Sequence, residues 1–271
     1  MARRVHSLFI PYVLWNIIAA LVFLGYQHLR FRFGRLEAAD FAYSPSQWGW
    51  GCLNIFWNVN DSGMPIDYPL WFVRDLIIYT IATPLIYIFC RHLKGAGVLA
   101  LGIPLFVFLD AQKGLWFYTF GAWMSISRKD LIQSFYPWRF PAAIICFAIL
   151  CVFPYAYREQ PLLYHHLLDL FTICGCICVF MIASSGFKNG FLHVHPFLTK
   201  SSFFIFAAHG ILILDDFAKF IMLHISSSRS DLYFCCDLLF RPIITVLICL
   251  GLYYILNRCF PKFTSILTGA R

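Results

Sequence analysis

Long apolar runs separated by short polar punctuation dominate this chain, and neither an alternating pattern nor a one-sided helical stripe does. A helix needs about 20 mostly apolar residues to cross a bilayer, and eight stretches approach that requirement: 8–26, 69–91, 96–110, 115–127, 140–157, 163–185, 202–224 and 235–257. The third and fourth are short. The stretch 27–68 is of a different kind, with Arg30, Arg32, Arg35, Glu37, Asp40, Asp61 and Asp67 set among Trp48, Trp50 and Trp57. A connection that long, without a pattern of its own, is usually functional or a small folded cap. The pattern predicts an all-α, polytopic transmembrane helical bundle of about eight spans. It forms a single integral membrane domain over residues 1–271, with an extracytoplasmic loop at about 27–68.

Composition supports this. Of the 271 residues 61% are hydrophobic and only 13% charged, against roughly 45–50% and 25% in soluble domains. The mean hydropathy is +0.72. A water-facing globule of this size could not bury so much apolar surface, which excludes the soluble classes. A net charge of +8 would suggest nucleic acid in a soluble protein. In a membrane protein it reflects Lys and Arg gathered in cytoplasmic loops, so no nucleic-acid partner is expected. Twelve of the 21 basic residues fall on the side of the N-terminus, six on the other side and three within spans. Both termini are therefore expected in the cytoplasm.

Eleven cysteines invite a metal or disulfide reading. Most of them, Cys146, Cys151, Cys174, Cys176, Cys178 and Cys249 among them, lie in apolar runs, where a thiol acts as a small hydrophobe. His165, His166, His193 and His195 form no zinc-like set with Cys or carboxylates. No metal is expected.

Ionisable groups inside a membrane are costly and face a bundle interior or a wet cavity. Arg74, Asp75, Asp215, Asp216, Lys219, Asp237 and Arg241 all fall in the outer half of their spans under this topology. Local pairing at i,i+4 accounts for Asp215 with Lys219 and for Asp237 with Arg241. Arg74 and Asp75 are adjacent, diverge by about 100°, and are expected to find partners on other helices. A polar pocket open to the outer side is the functional alternative. His209 sits deeper, seven residues before Asp216 and on nearly the same face. Such a His is either a packing residue or a general base.

Four segments, taken in order, resemble acyltransferase family 3: ARRVHSLFIPYVLWNII (Ala2 to Ile18), YPLWFVRDLI (Tyr68 to Ile77), FGAWMSISRKD (Phe120 to Asp130) and SSFFIFAAHGILI (Ser201 to Ile213). The resemblance implies a polytopic enzyme that O-acylates sugars of surface polysaccharides and related acceptors. Family members typically have ten spans and a His in the first; this chain opens on the basic segment that precedes a later family helix. The resemblance thus implies that the first two spans, and that His, are absent here. It also implies roles: Arg3 and Arg4 at the acyl-donor site, Trp71, Arg74 and Asp75 in the WF-containing motif, and His209 as the His of the late span. Basic side chains at the cytoplasmic edge would hold the phosphates of a CoA-type donor, and Arg74 would stabilise a developing oxyanion.

The expected function is transfer of an acyl group, acetyl for preference, from acyl-CoA as co-substrate to a hydroxyl of a sugar, cell-surface glycan or other small acceptor. No bound cofactor is expected. The partners are the lipid bilayer, the donor and the acceptor, and the location is the cell membrane. A transporter or flippase, for which neither an inverted repeat nor paired broken helices are evident, and a truncated non-catalytic relative are the alternatives.

Overall fold

The computed structural model describes residues 5–34, 50–59, 63–107, 113–211, 213 and 231–269. Arg3, Arg4, Asp215, Asp216, Lys219 and the middle of the expected outer loop lie outside these residues. Within them the secondary structure is helical throughout, as the apolar pattern predicts. A π-helical turn Val5–Phe9 leads into α1 (Ile10–Arg32), followed by short 3-10 turns at Trp50–Phe56 and Tyr68–Leu70. Next come α2 (Trp71–Ile81), α3 (Thr83–Val107), α4 (Lys113–Ile126), the short α5 (Leu131–Phe135), α6 (Arg139–Glu159) and α7 (Pro161–Lys188). The chain ends with α8 (Pro196–Ala208), α9 (Asp231–Cys259) and α10 (Pro261–Leu267).

Among the described residues, four helical segments are long and apolar enough to cross a membrane: His6–Arg32, Leu131–Phe153, Leu162–Lys188 and Phe240–Cys259. The bent pair Tyr68–Ile81 and Thr83–His92 makes a fifth if it is one broken span. Of the eight stretches expected, 96–110 and 202–224 run into residues outside the described set, and α4, with 14 residues, is too short to cross alone. One boundary is corrected. The sequence reading places a break between 91 and 96, yet α3 runs unbroken through it, and the interruption falls at Ala82. Pro84 explains the shift. Its ring lacks an N–H and collides with the carbonyl four residues back, so a helix stops before it and restarts with Pro in the first turn.

The chain divides into two compact units, residues 1–77 with 195–271, and residues 78–194. In the first, α1, α8, α9 and α10 enclose a core containing Tyr12, Trp15, Ala19, Phe203, Phe204, Ala207, Cys249, Tyr253 and Leu267. Trp15 meets Phe204 edge to face at 5.1 Å, and its indole N–H donates to the Leu267 carbonyl at 3.1 Å. Tyr253 lies 5.5 Å from Phe204 and 5.4 Å from Phe197. Gly269, at φ +74°, closes the end of α10 so tightly that a Cβ would sit 2.5 Å from the Ser7 carbonyl oxygen.

The second unit is built from two helix pairs. In one, α4 packs on α3: the Trp116 indole donates to the Val98 carbonyl at 3.0 Å, and a Cβ on Gly95 would fall 2.4 Å from Trp123. In the other, α6 packs on α7, with Phe153 5.4 Å from Tyr164 and 5.5 Å from Phe171. Lys113 forms an ion pair with Asp169, joining α4 to α7. Asp169 lies six residues into an expected span, a position the inventory of intramembrane charges leaves out.

Candidate functional site

The candidate site lies in the first unit, where the turn Tyr68–Leu70 and the start of α2 meet the end of α8. It begins with the described part of the loop expected on the outer side, which folds back as a cap. The Val59 N–H donates to the Met64 carbonyl at 2.9 Å, and Ile66 N–H to the Ile55 carbonyl at 2.8 Å. Residues 55–59 and 63–66 are thus tied to each other through their backbones, with Ile55, Val59 and Ile66 buried in the core.

Arg74 fastens this cap. Its Nη1 donates to the carbonyls of Trp57 and Gly63 at 3.0 and 2.7 Å, and its guanidinium lies 5.1 Å from the centroid of the Trp57 ring. Its Nε donates to Asp75 at 2.9 Å. The sequence reading sends Arg74 and Asp75 to other helices for partners. Among the described residues they instead satisfy each other, and Arg74 reaches the loop, because a long guanidinium stem can fold across the divergence between adjacent helical positions.

At the mouth of α2, Asp67 holds the N-cap position of the turn, where an Asp side chain ordinarily accepts from the following amides. It does not cap. Its backbone N–H donates to Asn16 Oδ1 at 3.2 Å, and Asn16 Nδ2 donates to the Tyr12 carbonyl at 2.8 Å. The Tyr12 hydroxyl donates in turn to the Phe56 carbonyl. The backbone of Asp67 is therefore fixed from α1. Its carboxyl is 1% exposed, and neither oxygen has a hydrogen-bond partner among the described residues. Burial pushes this carboxyl well above the usual carboxylate range.

His209 sits where the α-helical path of α8 opens into a π-helical turn over 209–211, a local widening that is frequent at functional sites. Its Nδ1 lies 2.7 Å from the Phe206 carbonyl and 3.2 Å from that of Ile205. A carbonyl only accepts, so Nδ1 carries the proton, and in the neutral ring Nε2 is the basic nitrogen. The imidazole meets Tyr68 edge-on at 6.2 Å. Gly210 is pressed onto the same turn: a Cβ there would lie 2.5 Å from Pro69 Cγ and 3.1 Å from Tyr68. Only a residue without a side chain lets α8 and the turn approach this closely.

Trp71 and Phe72 complete the group. Their rings are 6.1 Å apart, Phe72 lies 6.4 Å from Phe206, and both remain exposed. Of the sequence-derived candidates, Trp71 and His209 are joined through the rings of Phe72 and Phe206, whereas Arg74 and Asp75 engage each other and the cap. Asp237 and Arg241 pair with each other on α9, as i,i+4 spacing predicts. Asp67, Asn16, Tyr12 and Tyr68 were not singled out by sequence. The available signals were an amide within an apolar span and an acidic residue directly before an apolar turn. No group of three or more His, Cys, Asp or Glu among the described residues could hold a metal ion.

Helices long and apolar enough to cross a membrane, with polar residues held among them, are those of a membrane protein. The chain belongs to acyltransferase family 3: the family model, an acyltransferase domain, matches residues 1–256. No curated protein and no solved structure matches the chain.

Proposed function

We infer that this protein is a membrane-bound O-acyltransferase that moves an acyl group, acetyl for preference, from an acyl-CoA donor to a hydroxyl of a sugar or cell-surface glycan. The reading rests on family membership over nearly the whole chain, together with a histidine whose Nδ1 is committed to a carbonyl. In the reaction the acceptor oxygen attacks the thioester carbonyl while its proton passes to His209 Nε2. The tetrahedral oxyanion collapses, the carbon–sulfur bond breaks, and the imidazolium returns the proton to the departing thiolate.

Arg74 contributes positive charge for the oxyanion and holds the cap, Asp75 orients the guanidinium, and Trp71 offers an aromatic face to a sugar ring. Arg3 and Arg4 would bind the donor's phosphates from the cytoplasmic edge, which is consistent with both termini lying in the cytoplasm of the cell membrane. Transport is the weaker reading, since no inverted repeat is evident along the chain.

The test is acyl transfer from labelled acetyl-CoA to extracted glycan in membranes containing the full chain. His209→Ala should lower the rate about 10²–10⁴-fold while the protein still inserts. A His209→Ala variant with undiminished transfer removes this histidine from the chemistry. A wild-type protein that labels no glycan removes the reaction.

A further inference from the structure

Among the described residues, the Asp67 carboxyl is a buried group without a hydrogen-bond partner whose place the chemistry above does not explain. Leaving a buried polar atom unpaired is costly, more so when it is charged, and such groups in native proteins call for an explanation. Nothing local supplies one. The residue occupies an N-cap position without capping, and its backbone is clamped through Asn16 while its side chain is left open. Arg74, a cation seven residues further on, is turned to Asp75 and to the carbonyls of Trp57 and Gly63.

The position is suggestive of a ligand. The next residue, Tyr68, lies edge-on to His209, and the one after is pressed against Gly210. A group held by Asp67 would therefore lie beside the residues that flank the imidazole. We propose that Asp67 is the acceptor-binding residue of the site, its two oxygens taking hydroxyl groups of a sugar or similar polyol. A polyol suits it in either protonation state. The neutral acid donates one hydrogen bond and accepts others, the carboxylate accepts several, and hydroxyls do both. Binding requires the residues packed over Asp67 to give way, since the residue is 1% exposed.

This assignment rests on the acyltransferase reading but is tested apart from it. The full chain in detergent micelles is titrated with methyl glucoside, methyl galactoside and methyl N-acetylglucosaminide, following tryptophan fluorescence. At least one glycoside should saturate the wild type. Asp67→Ala should raise its half-saturation about tenfold or more, the loss of one or two hydrogen bonds. Asp67→Asn, which keeps the shape and one acceptor oxygen, should raise it less. Lys113→Ala, in the other unit, should leave it unchanged.

Melting curves show whether each variant is folded, and the isosteric Asn variant carries the test if the Ala variant is not. Equal half-saturation in wild type and both Asp67 variants, or no saturation by any glycoside, overturns the assignment. Glycoside binding that depends on Asp67, in a protein that transfers no acetyl group, would instead sustain the binding site and sink the reaction.

Discussion

The two units of this chain use the same apolar alphabet to different ends. In the first, the best apolar window of the His6–Arg32 segment is 39% buried inside the protein, and its helix carries Tyr12, Trp15 and Asn16 into a continuous core. In the second, the corresponding windows of Leu131–Phe153 and Leu162–Lys188 are only 11% and 6% buried, and Phe147, Val179 and Ile182 point outward. Hydropathy does not separate them. What differs is where the apolar surface goes: α1 of the first unit lays much of it against other helices, whereas α6 and α7 of the second leave most of theirs exposed. The polar residues follow that division. Those of the candidate site hang from the unit with the deep core, because a buried amide or carboxyl keeps its geometry only where neighbouring elements hold it.

If the contrast is sound, equal truncations should have unequal effects. Trp15→Ala removes both a core ring and a hydrogen bond to α10, and should cost about 3–5 kcal/mol. Phe147→Ala, on an outward face, should change stability by less than about 0.5 kcal/mol. Melting of both variants in detergent, followed by tryptophan fluorescence, checks this; similar losses would break the comparison.

The glycines sharpen it. Gly210→Ala and Gly95→Ala both place a Cβ within 2.6 Å of a neighbour, and each should lose about 1–3 kcal/mol by overpacking. Only Gly210→Ala should also depress acyl transfer, since its clash is with the turn that flanks His209. Rate measurements normalised to folded protein separate the two effects.

Lys113→Ala should destabilise by about 1–3 kcal/mol, by stranding Asp169 on α7. Its signature would be a lowered melting temperature with glycoside binding unchanged.

The smallest effect belongs to Asp67. Its carboxyl titrates above the ordinary range when folded, so the folded state holds its proton more tightly than the unfolded chain. Stability from this group is fully present below about pH 4, where the unfolded carboxyl is also protonated. It is then lost as pH rises, until the native carboxyl itself ionises. Asp67→Asn abolishes that loss. The variant should be the more stable protein at pH 7, by an amount on the order of 1 kcal/mol, and the difference should vanish toward pH 4. Melting curves across that range test the sign; a variant less stable than wild type at pH 7 contradicts it.

The amino-acid sequence by itself determined the helical class, the membrane setting and the family. Each depends on what the residues are and in what order, which hydropathy and motif register report directly. It also foretold the Asp237–Arg241 pair, because i,i+4 contacts are set by the helix alone. The break at Ala82 is encoded locally by Pro84, whereas the charged residues at 91–94 do not interrupt the helix. Tertiary structure alone decided that Arg74 fastens a cap, that Lys113 meets Asp169, and that the Asp67 carboxyl is buried without a hydrogen-bond partner among the described residues. Those facts join positions far apart along the chain, or record the absence of a neighbour, and no local pattern encodes either. Burial makes Asp67 chemically distinctive, and burial belongs to the assembled helices.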